Sequence, residues 1–251
     1  MLDFETRIET AAQLLHGARS VVVSTGAGMS KESGIPTFRD APNALWDKFD
    51  PEKLATPEGF LQDPPLVWRW YEERRRMISK IQPNAGHFAI ARLEGHFDRF
   101  VVITQNIDDL HRKAGSTNVV EMHGNIFRYK CFDMDHPVDE LPRGDDVPPR
   151  CTCGSMVRPD VVWFGEVLPQ SALEKAFAAI ETCDVMLVVG TSGIVFPVAG
   201  FPALARRAGA KIVEVNPEET SITPLCDVFV KGPAGKVLPV LVEKTVILRS
   251  P

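Results

Sequence analysis

Four short runs along the chain are apolar or β-branched and stop at glycine or polar residues. They are Val21-Val22-Val23-Ser24, Phe100-Val101-Val102-Ile103, Val185-Met186-Leu187-Val188-Val189 and Lys211-Ile212-Val213-Glu214-Val215. Their length and branching predict strands buried on both faces. Between them the spacing of apolar positions predicts helices over residues 3–18, 107–113, 170–181 and 198–208. Strands alternating with helices predict an α/β fold, a parallel sheet covered on both faces. In such sheets the ligand crevice lies beyond the carboxyl ends of the strands. There the chain carries Thr25-Gly26-Ala27-Gly28, Thr104-Gln105-Asn106, Gly190-Thr191-Ser192 and Asn216-Pro217.

Two stretches break the alternation. Residues 39–86 hold prolines, tryptophans and one clear helix; residues 126–159 hold three cysteines, many prolines and no long apolar run. Both are read as insertions forming a smaller lobe. The expected boundaries are 1–38, 87–125 and 160–251 for the large domain, with a helical insertion 39–86 and a cysteine-bearing insertion 126–159. A cleft between lobes is a common place for a substrate.

Composition narrows the class. The chain has 251 residues, 44% hydrophobic and 24% charged, with a net charge of −5. That balance suits a globular chain and lacks the basic footprint of a dedicated nucleic-acid binder. No apolar run approaches a membrane span. The first residues, Met-Leu-Asp-Phe-Glu-Thr-Arg, lack a signal-peptide core. Five cysteines, an odd number, point to buried thiols or metal ligands rather than disulfides. A cytoplasmic location is the expectation; the oligomeric state is not legible.

Gly26-Ala27-Gly28-Met29-Ser30 follows the first strand. Glycines there allow a tight turn and a close approach of backbone N–H groups to phosphate. Ser30 can cap a following helix or bond a phosphate oxygen. The other reading is an ordinary strand–helix turn, since the full G-x-G-x-x-G pattern is absent. Farther on, Pro64 to Ile78 reads as a helix with proline at its start. Val67, Tyr71, Arg74 and Ile78 share one face of it. Arg74 interrupts an otherwise apolar stripe. A carboxylate ligand would answer it through two guanidinium bonds, and the Tyr71 hydroxyl can add a third. The alternatives are pairing with Glu72, Glu73 or a distant acid, or reaching out to water. Arg69, Arg75 and Arg76 look like a solvated face.

The glycine loop with Glu32-Ser33-Gly34-Ile35-Pro36-Thr37-Phe38-Arg39 resembles the signature of the sirtuin family. So do Thr104-Gln105-Asn106-Ile107-Asp108, Glu121-Met122-His123-Gly124, Arg158 to Glu166, and Gly190-Thr191-Ser192. The matches keep the family's order from about residue 20 to 230. The resemblance implies an NAD-consuming protein-lysine deacylase with a Rossmann-type large domain and a small domain carrying a zinc module. It singles out His123 from the histidines at 16, 87, 96, 111 and 136. The implied base is neutral imidazole 123, accepting a proton from a ribose hydroxyl. The implied products are free lysine, nicotinamide and O-acyl-ADP-ribose.

Further site residues follow from the resemblance. Gln105, Asn106, Ile107 and Asp108 line the nicotinamide and ribose region, although Asn106 and Asp108 also read as caps of the helix from Ile107. Gly26, Ala27, Gly28, Ser30, Phe38, Arg39, Gly190, Thr191, Ser192 and Asn216 complete the cofactor contacts, with Cys226 near adenine. Asn106 and Asp108 join His123 as catalytic candidates. Val162, Phe164 and Gly165, with Val195 opposite, would hold an acyl-lysine peptide as an added strand. Tyr71 and Arg74 after Val67-Trp68, with Ala55 before them, resemble the desuccinylase and demalonylase subgroup. An acyl chain ending in carboxylate is therefore expected, in acylated-lysine proteins or peptides.

The zinc module departs from the family pattern. Structural zinc usually takes four ligands, often as two C-x2-C pairs. Cys131 stands without a partner three positions on, where Met134 occupies the place expected for one, and Cys151-Thr152-Cys153 has a single intervening residue. His136, Asp133 or Asp135 could complete the set, or the lobe could be metal-free with Cys131 against Cys151 or Cys153. Other functional classes stay open at this point. They are a plain deacetylase, a mono-ADP-ribosyltransferase, and a non-enzymatic NAD- or ADP-ribose-binding sensor.

Overall fold

The computed structural model describes residues 3–36, 54–142 and 144–249. The strands are β1 (Ser20–Thr25), β2 (Arg99–Thr104), β3 (Val119–Glu121), β4 (Gly124–Cys131), β5 (Val157–Val161), β6 (Val185–Val189), β7 (Lys211–Asn216) and β8 (Val228–Lys231). Six of them form a sheet in the order β3-β2-β1-β6-β7-β8, and every neighbouring pair is parallel. β1 and β6 are buried along their whole length, as strands covered on both faces must be. Strand order reverses between β1 and β6. A doubly wound sheet opens its ligand crevice at that switch point.

Two apolar layers sandwich the sheet. One is built by the helices Phe4–Gly17, Ala85–Glu94 and Ala234–Arg249 with the inward residues Val21, Val23, Val102, Leu187 and Val213. The other is built by Gln170–Ile180 and Phe201–Arg207 against Val22, Ile103, Met186, Val188 and Ile212. Alternation along each strand sends successive side chains to opposite layers. A third apolar cluster joins Phe60, Val67, Trp70, Tyr71 and Ile78 to Ile126, Val161 and Trp163. It packs the helix Pro64–Ser79 on the antiparallel pair β4–β5. Among the described residues no helix is long and apolar enough to cross a membrane.

Three expectations need correction. The helix expected over 107–113 begins only at Leu110. Asp108 takes the Leu110 N–H with its carboxylate, and Asp109 adopts φ 64°, so Ile107 to Asp109 turn instead of winding. The segment expected over 198–208 is a short 3-10 turn followed by the helix Phe201–Arg207. Arg75 is not part of a solvated face. It donates to the Ile126 carbonyl at 2.7 Å, pairs with Glu72 and lies over the Tyr129 ring at 4.2 Å.

Candidate active site

The glycines after β1 serve close packing first. A Cβ on Gly28 would stand 2.8 Å from Gly190 Cα and O; one on Gly190, whose φ is +59°, would stand 2.4 Å from the Met29 nitrogen. The two loops at the switch point therefore touch backbone to backbone. Gly26, Gly28, Met29 and Ser30 spend their N–H groups on carbonyls of Val189, Gly190, Gly26 and Ala27. No carbonyl of the described residues takes the N–H of Ala27, Thr191 or Ser192. Those groups, more than the glycine amides, suit phosphate oxygens. Across the crevice Gln105 donates to the Thr191 hydroxyl at 3.1 Å, and Asn216 donates to the Thr191 carbonyl at 2.8 Å. The ends of β2, β6 and β7 are thus tied together.

Ser30 makes no capping bond. Its hydroxyl instead donates to Asp108 at 2.6 Å and accepts from the Asn106 amide at 3.0 Å, which also donates to the Gly26 carbonyl. Burial pushes the Asp108 carboxyl up, against the downward pull of its bonds from Ser30 and Leu110. A strained-charge carboxylate at the crevice floor is a common mark of a functional site. Beneath it, the Asn106 N–H bonds the Thr104 hydroxyl, which accepts from Thr25 at 2.9 Å; Thr25 lies 3.0 Å from His111 Nε2.

His123 follows β3. Its Nδ1 is 3.0 Å from the Gln105 carbonyl oxygen. A carbonyl only accepts, so Nδ1 carries the hydrogen and Nε2 holds the lone pair. Burial lowers the His123 pKa and so favours the neutral ring, against a smaller upward pull from the Gln105 bond. The His123 carbonyl accepts from Val162 N at 3.0 Å, so the base and the expected substrate loop are linked through the main chain. In that loop Phe164 N bonds the Ala55 carbonyl at 2.9 Å, and the Trp163 indole donates to the Tyr71 hydroxyl at 2.9 Å. Residues from four segments distant in sequence, Ala55, Tyr71, His123 and Val162 to Phe164, thereby converge.

Arg74 follows Tyr71 by one turn, and its guanidinium carbon is 4.7 Å from the Trp70 ring centre and 6.0 Å from that of Tyr71. The residue keeps partial exposure, but Nε is buried and burial lowers the guanidinium pKa. Glu72 pairs with Arg75. Phe38 and Arg39 lie outside the described residues. Phe164, Gly165 and Val195 are exposed, in segments that are not strand: β5 ends at Val161.

Two features escaped the sequence reading. Buried Arg158 grips both carboxylate oxygens of Glu166 and lies over the Trp163 ring, and Glu166 also takes Trp163 N at 2.7 Å. This clasp shapes the loop after β5. Glu214, fully buried in β7, accepts from Thr220 and Thr223 at 2.6 and 2.5 Å and from Cys226 at 3.7 Å. The Cys226 thiol is therefore engaged inside its own loop, its pKa pushed up to about 12 by burial and by Glu214. An acid in the middle of an apolar strand followed by three hydroxyl or thiol residues was the available signal.

The metal candidates meet in the small lobe. The ligand atoms of Cys131, His136, Cys151 and Cys153 all lie within 4.8 Å of one another. Cys131 and Cys153 sulfurs are 3.5 Å apart, and His136 Nε2 is 3.6 Å from Cys151 Sγ. His136 Nδ1 faces the Pro137 carbonyl at 3.0 Å, so it carries the hydrogen and Nε2 presents its lone pair to the thiols. Three thiols and one imidazole so arranged fit a structural zinc. Asp135 pairs with Lys130 at 2.7 Å, and Met134 is 66% exposed, so neither joins the set. The same cysteines remain unlinked by disulfides.

Comparisons with known proteins agree on one family. The Sir2 family pattern matches residues 26–197. An NAD-dependent protein deacylase 2 of Pyrobaculum aerophilum is 52% identical over 240 residues, covering 93% of this chain and 94% of that protein. NAD-dependent protein deacylase 1 of Pseudomonas aeruginosa is 48% identical over 246 residues, covering 94% and 98%. Among solved structures, a Sir2 homologue in complex with NAD superposes with a TM-score of 0.88 at 41% identity, over 96% of this chain and 95% of that one. A second, Sir2Af2 bound to a myristoylated histone peptide, gives 0.76 at 38% identity, over 98% of each.

Proposed function

The chain belongs to the Sir2 family, and on that premise we propose that the acyl groups it removes from lysine end in a carboxylate, succinyl, malonyl and glutaryl ahead of acetyl. Its activity in coarser terms is that of an NAD-dependent protein deacylase. The observation that carries the finer reading is the placement of Tyr71 and Arg74 one turn apart on the helix that packs against the loop bonded to His123. A planar guanidinium takes a carboxylate through two parallel bonds, and enclosure strengthens them. Ala55, whose carbonyl anchors Phe164, puts only a methyl group beside that loop, which suits a chain longer than acetyl.

NAD, when bound, would supply an electrophilic anomeric carbon with nicotinamide as its leaving group. The protein's part is to hold and to move a proton. Ala27, Thr191 and Ser192 offer main-chain N–H groups for the phosphates, and Asn216 stands at the end of β7 for the adenosine ribose. Asn106 and Asp108, locked through Ser30, fix the floor of the nicotinamide region. His123 Nε2 is free to accept a proton from a ribose hydroxyl, because Nδ1–H is committed to Gln105. Cys131, His136, Cys151 and Cys153 would hold zinc as a structural clamp on the small lobe, with no part in the proton transfer.

The test is turnover of acetyl-, succinyl- and malonyl-lysine peptides at matched concentration, with products identified by mass spectrometry. The expected product is O-acyl-ADP-ribose, and succinyl or malonyl peptide should lead in kcat/KM. Arg74→Met should cut the succinyl-to-acetyl ratio by at least tenfold, the worth of a charge-assisted pair. Acetyl turnover equal to succinyl in the native enzyme, unchanged by Arg74→Met, rejects the carboxylate pocket. ADP-ribosylated peptide in place of O-acyl-ADP-ribose would identify a transferase instead.

A further inference from the structure

We propose that Trp163 is a specificity-determining residue, which turns the Tyr71 hydroxyl into a hydrogen-bond donor aimed at the acyl chain's carboxylate. The inference rests on the acidic-acyl reading above and adds a residue to it. Its basis is the direction of one buried hydrogen bond. The Trp163 indole nitrogen lies 2.9 Å from the Tyr71 hydroxyl oxygen. An indole N–H can only donate, so the tyrosine oxygen must accept. With that lone pair occupied, the hydroxyl hydrogen points elsewhere. Among the described residues nothing accepts it.

Both rings are held. Tyr71 and Trp163 are each 2% exposed. The Trp70 ring meets Tyr71 edge-on at 4.7 Å and 87°, while Trp163 is packed by Phe60 at 5.2 Å and covered by the Arg158 guanidinium. Trp163 is fixed through its main chain as well, by the Glu166 carboxylate. Its indole N–H is therefore a rigid donor, and burial obliges it to keep an acceptor. The tyrosine is the acceptor within reach.

The chemical consequence is a polarity filter. A carboxylate has acceptors only, so it matches a hydroxyl that is constrained to donate. The methyl of an acetyl group matches nothing there and gains nothing from the arrangement. The Arg74 guanidinium carbon lies 6.0 Å from the centre of the same ring, so a cation stands one helical turn from the tyrosine. Without the indole the tyrosine hydrogen could rotate, and part of its preorganisation for the anion would be lost.

Trp163→Phe removes the donor and keeps an aromatic ring. The succinyl-to-acetyl ratio of kcat/KM, measured on the same preparation, should fall about tenfold. Most of that fall should come from a higher KM for the succinyl peptide. Tyr71→Phe should lower the ratio similarly, and the double variant should be little worse than either single one, because the two groups act as one unit. A folded Trp163→Phe enzyme with the native ratio within twofold overturns the proposal. A spectroscopic readout stands if that variant does not fold. One of the native indole 1H–15N resonances should shift in Tyr71→Phe, and in the native protein that same resonance should shift on adding succinyl-lysine peptide but not acetyl-lysine peptide. No indole resonance responding to Tyr71→Phe, or equal responses to the two peptides, also overturns it. Failure of the acidic-acyl reading itself shows separately, as an acetyl preference in the unmodified enzyme.

Discussion

Acid should unfold this protein through two buried imidazoles. His87 is fully buried and His111 is 3% exposed, with ring centres 4.9 Å apart. Each has a ring nitrogen, Nε2 of His87 and Nδ1 of His111, that lacks a hydrogen-bond partner among the described residues. Burial lowers their pKa values from 6.5 to about 4 and about 3, His111 being lowered further by its neighbour. A depressed pKa on a base means that the unfolded chain binds protons first. Stability is therefore complete above pH 6.5 and is lost as the pH falls toward 4. At pH 5, about 1.5 units below the unfolded value, each ring costs ~2 kcal/mol. Because part of the His111 shift arises from His87, the pair together should cost ~2–4 kcal/mol, a large share of a typical ~5–15 kcal/mol domain stability. The assay is urea unfolding at pH 7.5 and pH 5.0 for the native protein and for His87→Asn with His111→Gln. These replacements imitate the nitrogen each ring uses, toward Asn84 N and Thr25 Oγ1. The double variant should lose ~2–4 kcal/mol less between the two pH values. Groups common to both proteins, such as His123, cancel in that difference. A pH dependence equal in the two proteins within ~0.5 kcal/mol would refute the reasoning.

Other outcomes follow from single contacts. Gly190→Ala puts a Cβ 2.4 Å from the Met29 nitrogen at a φ of +59°, so melting should drop by several degrees and NAD titration should weaken; native values for both contradict the backbone-contact account. Asp108→Asn replaces a carboxylate whose pKa burial has raised. A raised acid pKa means charge is disfavoured in the fold above that pKa, so the variant should keep or gain stability near neutral pH while kcat falls; loss of stability with kcat intact would invert that assignment. His136→Ala should weaken zinc retention against a chelator by ~10–100-fold, read by elemental analysis after dialysis. Equal zinc content in the native and variant proteins would remove His136 from the ligand set.

How much of the fold the sequence declared depended on the kind of signal each segment carried. The four central strands are continuous apolar runs bounded by glycine or polar residues, and each lies within a residue of its expected position, at Ser20–Thr25, Arg99–Thr104, Val185–Val189 and Lys211–Asn216. The short edge strands β3 and β8 and the pair β4–β5 have mixed burial, and the apolar pattern alone did not announce them. The helix Ala234–Arg249 was missed because Pro239 sits inside it. Its core face, Val237, Leu238, Leu241, Val242 and Thr245, nevertheless keeps helical spacing. The helix Ala85–Glu94 was missed too, although Asn84 and His87 form a capping box at its start.

The site shows the same limit at finer scale. Residues that end strands are positioned by the sheet, so Gly26, Gln105, Thr191 and Asn216 could be assigned to one crevice before any contact was known. Their exact duties could not, because Gly28 is committed to Gly190 and Ser30 to Asp108 through contacts over scores of residues. The metal set divides similarly: the cysteines were visible, but His136 could be chosen over Asp133 and Asp135 only once the hairpin brought its Nε2 to Cys151. Trp163 and Tyr71 are 92 positions apart, and neither alone distinguishes a packed ring from a recognition element. What selects between those roles is the direction of the hydrogen bond joining them. Periodicity reports which face of an element is buried, whereas specificity resides in which lone pair and which hydrogen remain for the ligand after the protein has used its own.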